Sequence, residues 1–375
     1  MDVSGITDLF EENFVKYDEL GASVCIWHRN EKILSLSGGY QDREKTIPWN
    51  AQSVVLIWSA TKGLTSTCLL HAAAEHGINL DRRVIDFWPE YGQSGKEETT
   101  LRQVLSYQAG QPALRSSSAT MLDHEAVVEQ LAIQEPFWKP GAAHGYHPRT
   151  YGFLLDELLR RITHGTTLSQ YFRIVFGDPL ELRLWIGTPD AIDVAPIQAP
   201  RKAHKGSSEA AFYNAFADPE SLTRKAFSTP TGLYAPSLMN DPKVRAHSLP
   251  SLGGIGSAEA LAYFYQTLGS GQIGGPDFAL RISQEQSSGL DKVLKIETAF
   301  GLGFMKDPVA NGQKIRQIFG KSMTSFGQPG SGGSIGFFDL ENQLAFAYVM
   351  NQMEPGVFPN VKSLRLVEHL YATLS

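Results

Sequence analysis

Val54-Val55-Leu56-Ile57-Trp58-Ser59-Ala60-Thr61-Lys62 decides how this chain is read: an apolar run ends in a serine, and a lysine follows three residues later at the head of a helix-like stretch reaching about Glu75. Side chains three apart are neighbours on a helix surface, so the Lys62 nitrogen can reach the Ser59 hydroxyl. The first turn of a helix also offers unpaired backbone N–H groups and the positive end of the helix dipole, both of which favour a developing oxyanion. The pair suits acyl transfer. Alone it is weak, because a Ser-x-x-Lys spacing arises about once by chance in such a chain and more often means a capped helix start with a solvated lysine.

Outward from this stretch, residues 22–39 alternate around the polar turn Arg29-Asn30-Glu31 and predict a β-hairpin with strands at 23–28 and 32–37. Before it, residues 1–18 carry Ile6, Leu9, Phe10, Phe14 and Val15 at helical spacing. After Ser59, His76-Gly77 ends the helix, with Gly77 as its C′ residue. Residues 80–240 then read as short helices broken by Pro, Gly and Ser, among them 101–105 and 151–162, with few strand signals. Residues 202–242, punctuated by Pro219, Pro230, Pro236 and Pro242, read as long ordered loops over a cleft. Beyond Gly253-Gly254-Ile255-Gly256 a helix at 257–268, strands at 299–305, 334–339 and 343–350, and a closing helix at 361–374 complete the pattern. The predicted organisation is a sheet domain from both chain ends, 1–80 plus 245–375, and a mostly helical insert, 81–244, with the active site in the cleft between them.

The 375 residues are 42% hydrophobic, enough for a sizeable core, and the net charge of -6 gives no electrostatic reason to expect nucleic acid. The acidic amino terminus has neither a basic region nor an apolar core of a signal peptide, and no stretch approaches the roughly 20 apolar residues that span a bilayer, so a cytoplasmic, soluble protein is expected. Cys25 and Cys68 read as core thiols, and the ten histidines show no metal-ligand spacing; no metal or cofactor is expected.

Two further segments give Ser59-x-x-Lys62 its weight. Tyr146 lies in the turn-rich run Trp138-Lys139-Pro140-Gly141-Ala142-Ala143-His144-Gly145-Tyr146-His147-Pro148 just before a helix, where a nearby Lys62 ammonium would lower its pKa and make it a base. Phe326-Gly327-Gln328-Pro329-Gly330-Ser331-Gly332-Gly333-Ser334 is glycine-rich, letting backbone approach a ligand beside an edge strand and offer an N–H to an oxyanion. In this order the three segments resemble the serine β-lactamase and penicillin-binding-protein superfamily, closest to the class C β-lactamase-like family VIII carboxylesterases. Residues 101–112, 138–158 and 249–268 are similar to further family segments, so the likeness covers nearly the whole chain.

The resemblance implies an α+β, β-lactamase-like fold: an antiparallel sheet flanked by helices, with an inserted all-helical domain. It implies Ser59 as the acylated nucleophile, Lys62 as its partner in proton abstraction and Tyr146 as general base and later acid. The oxyanion hole would be the backbone N–H of Ser59 and one near Ser334. Two departures favour a neutral ester over a β-lactam: Pro148 stands where class C lactamases carry an amide-bearing Asn, and Gln328 replaces the lysine that would meet a β-lactam carboxylate. Tyr107-Gln108 is a further departure, standing where the esterase branch commonly carries His-Arg. The implied activity is a serine carboxylesterase for small-molecule esters of short or medium acyl chains; an acyltransferase, a β-lactamase or D-amino-acid peptidase, and a catalytically silent binding protein are the alternatives.

Gly332-Gly333-Ser334-Ile335-Gly336 matches the nucleophile elbow of α/β-hydrolases, but a strand and hairpin, rather than a helix, are predicted after Ser334. His144 and His147 flank Tyr146 without an evident acid partner; His147 is kept as a pocket candidate. Trp58, Trp138, Phe212, Tyr213, Tyr234 and Phe326 are candidate pocket aromatics. Tyr234 and Phe326 are preferred for their loop positions, beside Gln328 and Gly330 as substrate-binding residues.

Overall fold

The computed structural model describes residues 3–116, 118–201 and 209–374. Helix α1 (Ser4–Lys16) buries Ile6 and Phe10. The hairpin β1 (Gly21–His28) and β2 (Glu31–Gly39) turns through Arg29 and Asn30, both at positive φ, as a tight two-residue hairpin turn requires. Strand β3 (Val55–Leu56) leads through one 3-10 turn, Trp58–Ala60, into α2 (Thr61–Glu75). The middle of the chain supplies α3 (Leu101–Leu105), α4 (His124–Ile133), α5 (Tyr151–Ile162), α6 (Leu168–Phe172), β4 (Leu184–Ile186), α7 (Ala210–Ala217), α8 (Leu222–Ser228) and α9 (Pro242–Ala246). The last third supplies β5 (Gly254–Gly256), α10 (Ala258–Gly269), α11 (Phe278–Ser283), β6 (Ser287–Leu290), β7 (Glu297–Phe300), β8 (Met305–Lys306), the small hairpin β9 (Val309–Ala310) and β10 (Gln313–Lys314), β11 (Phe326–Pro329), β12 (Ile335–Asp339), β13 (Leu344–Met350) and α12 (Val361–Thr373).

Eight strands form one antiparallel sheet in the order β2-β1-β13-β12-β11-β8-β7-β6. Strand β1 pairs with β13, Cys25 opposite Ala347, so the two chain ends meet inside the sheet. Side chains alternate across a strand. On one face Gly336 lies against Tyr265 of α10, where a Cβ would stand 2.4 Å from the ring. On the other, Tyr348, paired with Ile335, packs its ring against Phe10 of α1. With both faces covered, β12 and β13 are buried throughout.

Helix α2 is buried along most of its length, twelve of its 15 residues. Its polar residues are accommodated because Thr65, Ser66 and Thr67 return their hydroxyls to the carbonyls of Thr61, Lys62 and Gly63.

Four sequence expectations are corrected. Residues 299–305 are not one strand: the chain turns at Gly303 (φ 82°) between β7 and β8. The glycine-rich segment does not adjoin an edge strand, since β11 pairs on both sides, with β12 and β8. The middle of the chain is not all-helical: Leu184–Ile186 pairs with β5, which also holds β3. The expected loops at 202–242 contain α7 and α8, the latter capped by the Ser221 side chain; residues 202–208 lie outside the described residues.

Candidate active site

Ser59 sits between two backbone anchors. The Ile57 N–H donates to the Gly254 carbonyl at 2.8 Å, and the Gly254 N–H donates to the Thr61 hydroxyl at 2.8 Å. Trp58, immediately before the serine, adopts φ 49°, an unusual conformation for a bulky residue. The end of β11 closes the other side: a Cβ on Gly330 would lie 2.2 Å from the Ile57 carbonyl oxygen, so glycine is required for this approach. The glycine expected to approach a ligand thus approaches the turn that carries the serine.

Lys62 is sealed from solvent, with Nζ 3.2 Å from Ser59 Oγ, 2.9 Å from the Pro148 carbonyl and 2.7 Å from the Ser251 carbonyl. Burial pushes its pKa well below the ordinary lysine value. A neutral amine has two hydrogens and one lone pair. In its uncharged form the amine would give its two hydrogens to the two carbonyls and keep its lone pair for the Ser59 hydroxyl. Pro148, which lacks the amide side chain of the lactamase pattern, contributes through its backbone oxygen.

Tyr146 lies over this pair, its ring centroid 4.9 Å from Lys62 Nζ and its hydroxyl hydrogen-bonded with Ser59. Gln328 Nε2 donates to the same hydroxyl at 3.5 Å. The expectation that Lys62 lowers the Tyr146 pKa is reversed: burial raises it.

Sequence reasoning missed what holds Tyr146. Both carboxylate oxygens of the buried Asp291 accept the Tyr146 N–H, at 3.1 and 2.9 Å, and Asp291 also accepts the N–H groups of Val293 and Leu294. His144 reaches this carboxylate through the Thr298 hydroxyl, 2.9 Å from its Nε2. Tyr107 stacks on Tyr151 at 4.5 Å and lies 5.5 Å from the Tyr146 ring, so the departure at this position completes an aromatic cluster with Phe300. No local signal marks Asp291, which lies 145 residues from its partner.

A cavity of about 220 Å³ opens onto Ser59, Tyr146 and Ser331. Phe212, Tyr213 and Phe216 of α7, Phe227 of α8, and Val357 and Phe358 form most of its wall, and none of its lining residues is charged. The two preferred aromatics are not there. Phe326 is fully buried in the sheet between Phe304 and Phe338, and Tyr234 is exposed, with its ring beside Arg149. Phe212 and Tyr213, passed over in sequence, line the cavity because the 202–242 region folds into helices. His147 is buried but faces backbone: its Nδ1 contacts the Gly145 carbonyl and its Nε2 accepts the Gln111 N–H, and burial drives its pKa down to about 3. Ser334 is buried at the start of β12, its carbonyl accepting the Gly330 N–H; Ser331, rather than Ser334, reaches the cavity. No helix follows Ser334, so the elbow geometry is absent.

The chain belongs to the Beta-lactamase family, whose model matches residues 6–370. It is a serine hydrolase of that family. It is 30% identical over 349 residues to an esterase/beta-lactamase, LipL, of Mycobacterium tuberculosis, covering 89% of this chain and 77% of that protein. The crystal structure of a family VIII carboxylesterase superposes with a TM-score of 0.85 at 28% identity, covering 98% of this chain and 96% of that one. A penicillin-binding-protein homologue from Caulobacter crescentus gives 0.84 at 31% identity, covering 99% and 97%. No helix among the described residues is long and apolar enough to cross a membrane.

Proposed function

We propose that the chain is a carboxylesterase that cleaves short- to medium-chain acyl esters through an acyl-enzyme on Ser59. The observation that carries this is the placement of Lys62: an amine held between two carbonyls, facing Ser59 beneath an apolar cavity that carries no cation for a β-lactam carboxylate. Lys62 takes the Ser59 proton as Oγ attacks the ester carbonyl. The backbone N–H groups of Ser59 and Ser331, both at the cavity, receive the oxyanion. Tyr146, held as a phenol by burial and accepting from Gln328, gives its proton to the departing alcohol. The acyl-enzyme then stands beside a Lys62 ammonium and a Tyr146 phenolate. The phenolate takes a proton from water, the hydroxide attacks the acyl carbon, and the ammonium reprotonates Ser59, restoring all three groups.

The test is hydrolysis of p-nitrophenyl acetate, butyrate and octanoate beside nitrocefin. Ester turnover should fall by about 10⁴ or more in Ser59→Ala and persist in Ser334→Ala, with little nitrocefin hydrolysis. Loss confined to Ser334→Ala, or a wild type inert toward every ester, would overturn this reading.

A further inference from the structure

A second cavity, of about 520 Å³, shares the Phe358 wall with the ester cavity. Ile296 and Ile318 line one part and Leu364, Val367 and Tyr371 of α12 another, while Glu209, Arg316, Lys321 and Glu368 add charged groups to the wall. It opens to solvent past the exposed Lys321 and Ala372. Phe358 is half-buried in the segment between β13 and α12, with the Arg316 guanidinium 4.5 Å from its ring centroid on the side of the larger cavity. Arg316 Nε is buried without a hydrogen-bond partner among the described residues. The backbone beneath the ring is fixed, because the Glu209 carboxylate accepts the N–H groups of Val357 and Phe358 at 3.1 to 3.3 Å. A side chain on a fixed backbone moves by rotamer change alone.

We propose that the larger cavity is a distal subsite for the aliphatic chain of a long ester, with the Phe358 side chain as the partition that the chain displaces. The proposal rests on the esterase reading. The ester cavity, below the roughly 300 Å³ at which ordinary small-molecule sites begin, holds a short chain; beyond Phe358 the side chains of Ile296, Ile318, Leu364 and Val367 supply an apolar strip within a cavity whose remaining wall is largely charged and polar. Each methylene drawn from water into such a surface is worth about fourfold in kcat/KM.

The experiment compares p-nitrophenyl butyrate with p-nitrophenyl dodecanoate, and hexyl with dodecyl acetate, normalised to sites titrated by a fluorophosphonate. Leu364→Trp, which fills the distal subsite, should lower the long-to-short ratio of kcat/KM at least fivefold with butyrate turnover retained. Phe358→Ala, or Phe358→Leu if that variant folds poorly, should raise the ratio about tenfold, and adding Leu364→Trp should cancel the rise. A change in the p-nitrophenyl series assigns the subsite to the acyl chain; a change in the acetate series assigns it to the alcohol. A ratio unmoved by Leu364→Trp in both series, or a Phe358→Ala gain that survives the double substitution, overturns the subsite while butyrate turnover keeps the esterase reading intact. Absence of turnover with every ester sinks the esterase reading itself.

Discussion

Lys62 and Lys362 are equally hidden, at 0% and 1% exposure, yet they face opposite surroundings. Lys362, on α12, ion-pairs with Glu354 at 2.9 Å and Glu19 at 3.4 Å, tying α12 to the segment after β13 and to the segment between α1 and β1. Lys62 meets only neutral oxygens: one hydroxyl and two carbonyls. A buried amine among carboxylates is a structural clamp; one among neutral dipoles is driven toward its uncharged form and can accept a proton. Burial does not distinguish the two lysines; the charge of their partners does.

The sharpest way to break this contrast is to remove each amine. Lys62→Met should lose about 10³ in kcat/KM toward p-nitrophenyl butyrate, the size of a general-base contribution. Lys362→Met should stay within about threefold in activity while losing about 3–5 kcal/mol in urea unfolding, because it leaves buried carboxylate uncompensated. An active Lys62→Met enzyme would end the assignment. Tyr146→Phe, which keeps the ring in its aromatic cluster but removes the transferable proton, should lose about 10² to 10³; the loss should be smaller for p-nitrophenyl esters than for alkyl esters, whose alcohols need protonation to leave.

The contrast also has a pH signature. The folded state holds Lys62 well below its ordinary pKa, so between that depressed value and about 10.4 the unfolded chain binds the extra proton. Stability contributed at this site therefore rises with pH across that window and is least at acid pH, where both states are protonated. Urea melts at about pH 7 and about pH 10 should show the wild type gaining on Lys62→Met at the higher pH; parallel changes would mean an amine that is charged when folded. In the same direction, kcat/KM should fall as pH drops through the depressed value. The smallest effect is at Gln328. Gln328→Lys should restore a cation near Tyr146 and lower the nitrocefin KM by about tenfold, at some cost to ester turnover; an unchanged KM would show that charge at this position does not govern lactam binding.

Much of the fold was legible. The hairpin at β1 and β2, the helix after Ser59 and the strands at β12 and β13 are marked by periodicity that their own residues carry. Where reading failed, the deciding contact was distant. Proline spacing made 202–242 look like loops, yet Ser221 caps α8 and Glu209 precedes α7, and that pair of helices presents the aromatics of the ester cavity. Phe326 looked like a pocket residue until β8 and β12 enclosed its strand. Pro148 looked like a lost function, because a side-chain pattern does not reveal what a backbone carbonyl does.

The sequence by itself determined that a serine and a lysine share one face of a helix start, since three-residue spacing is a property of helical backbone in any surroundings. It also determined that both chain ends are strand-rich and that no lysine stands at position 328. Tertiary structure decided the proton inventory: the carbonyls of Pro148 and Ser251, 86 and 189 residues from Lys62, orient its amine, and Asp291 fixes the Tyr146 backbone from across the fold. Protonation state follows from excluded water and nearby charge, and both are set by segments that meet only when the chain has folded.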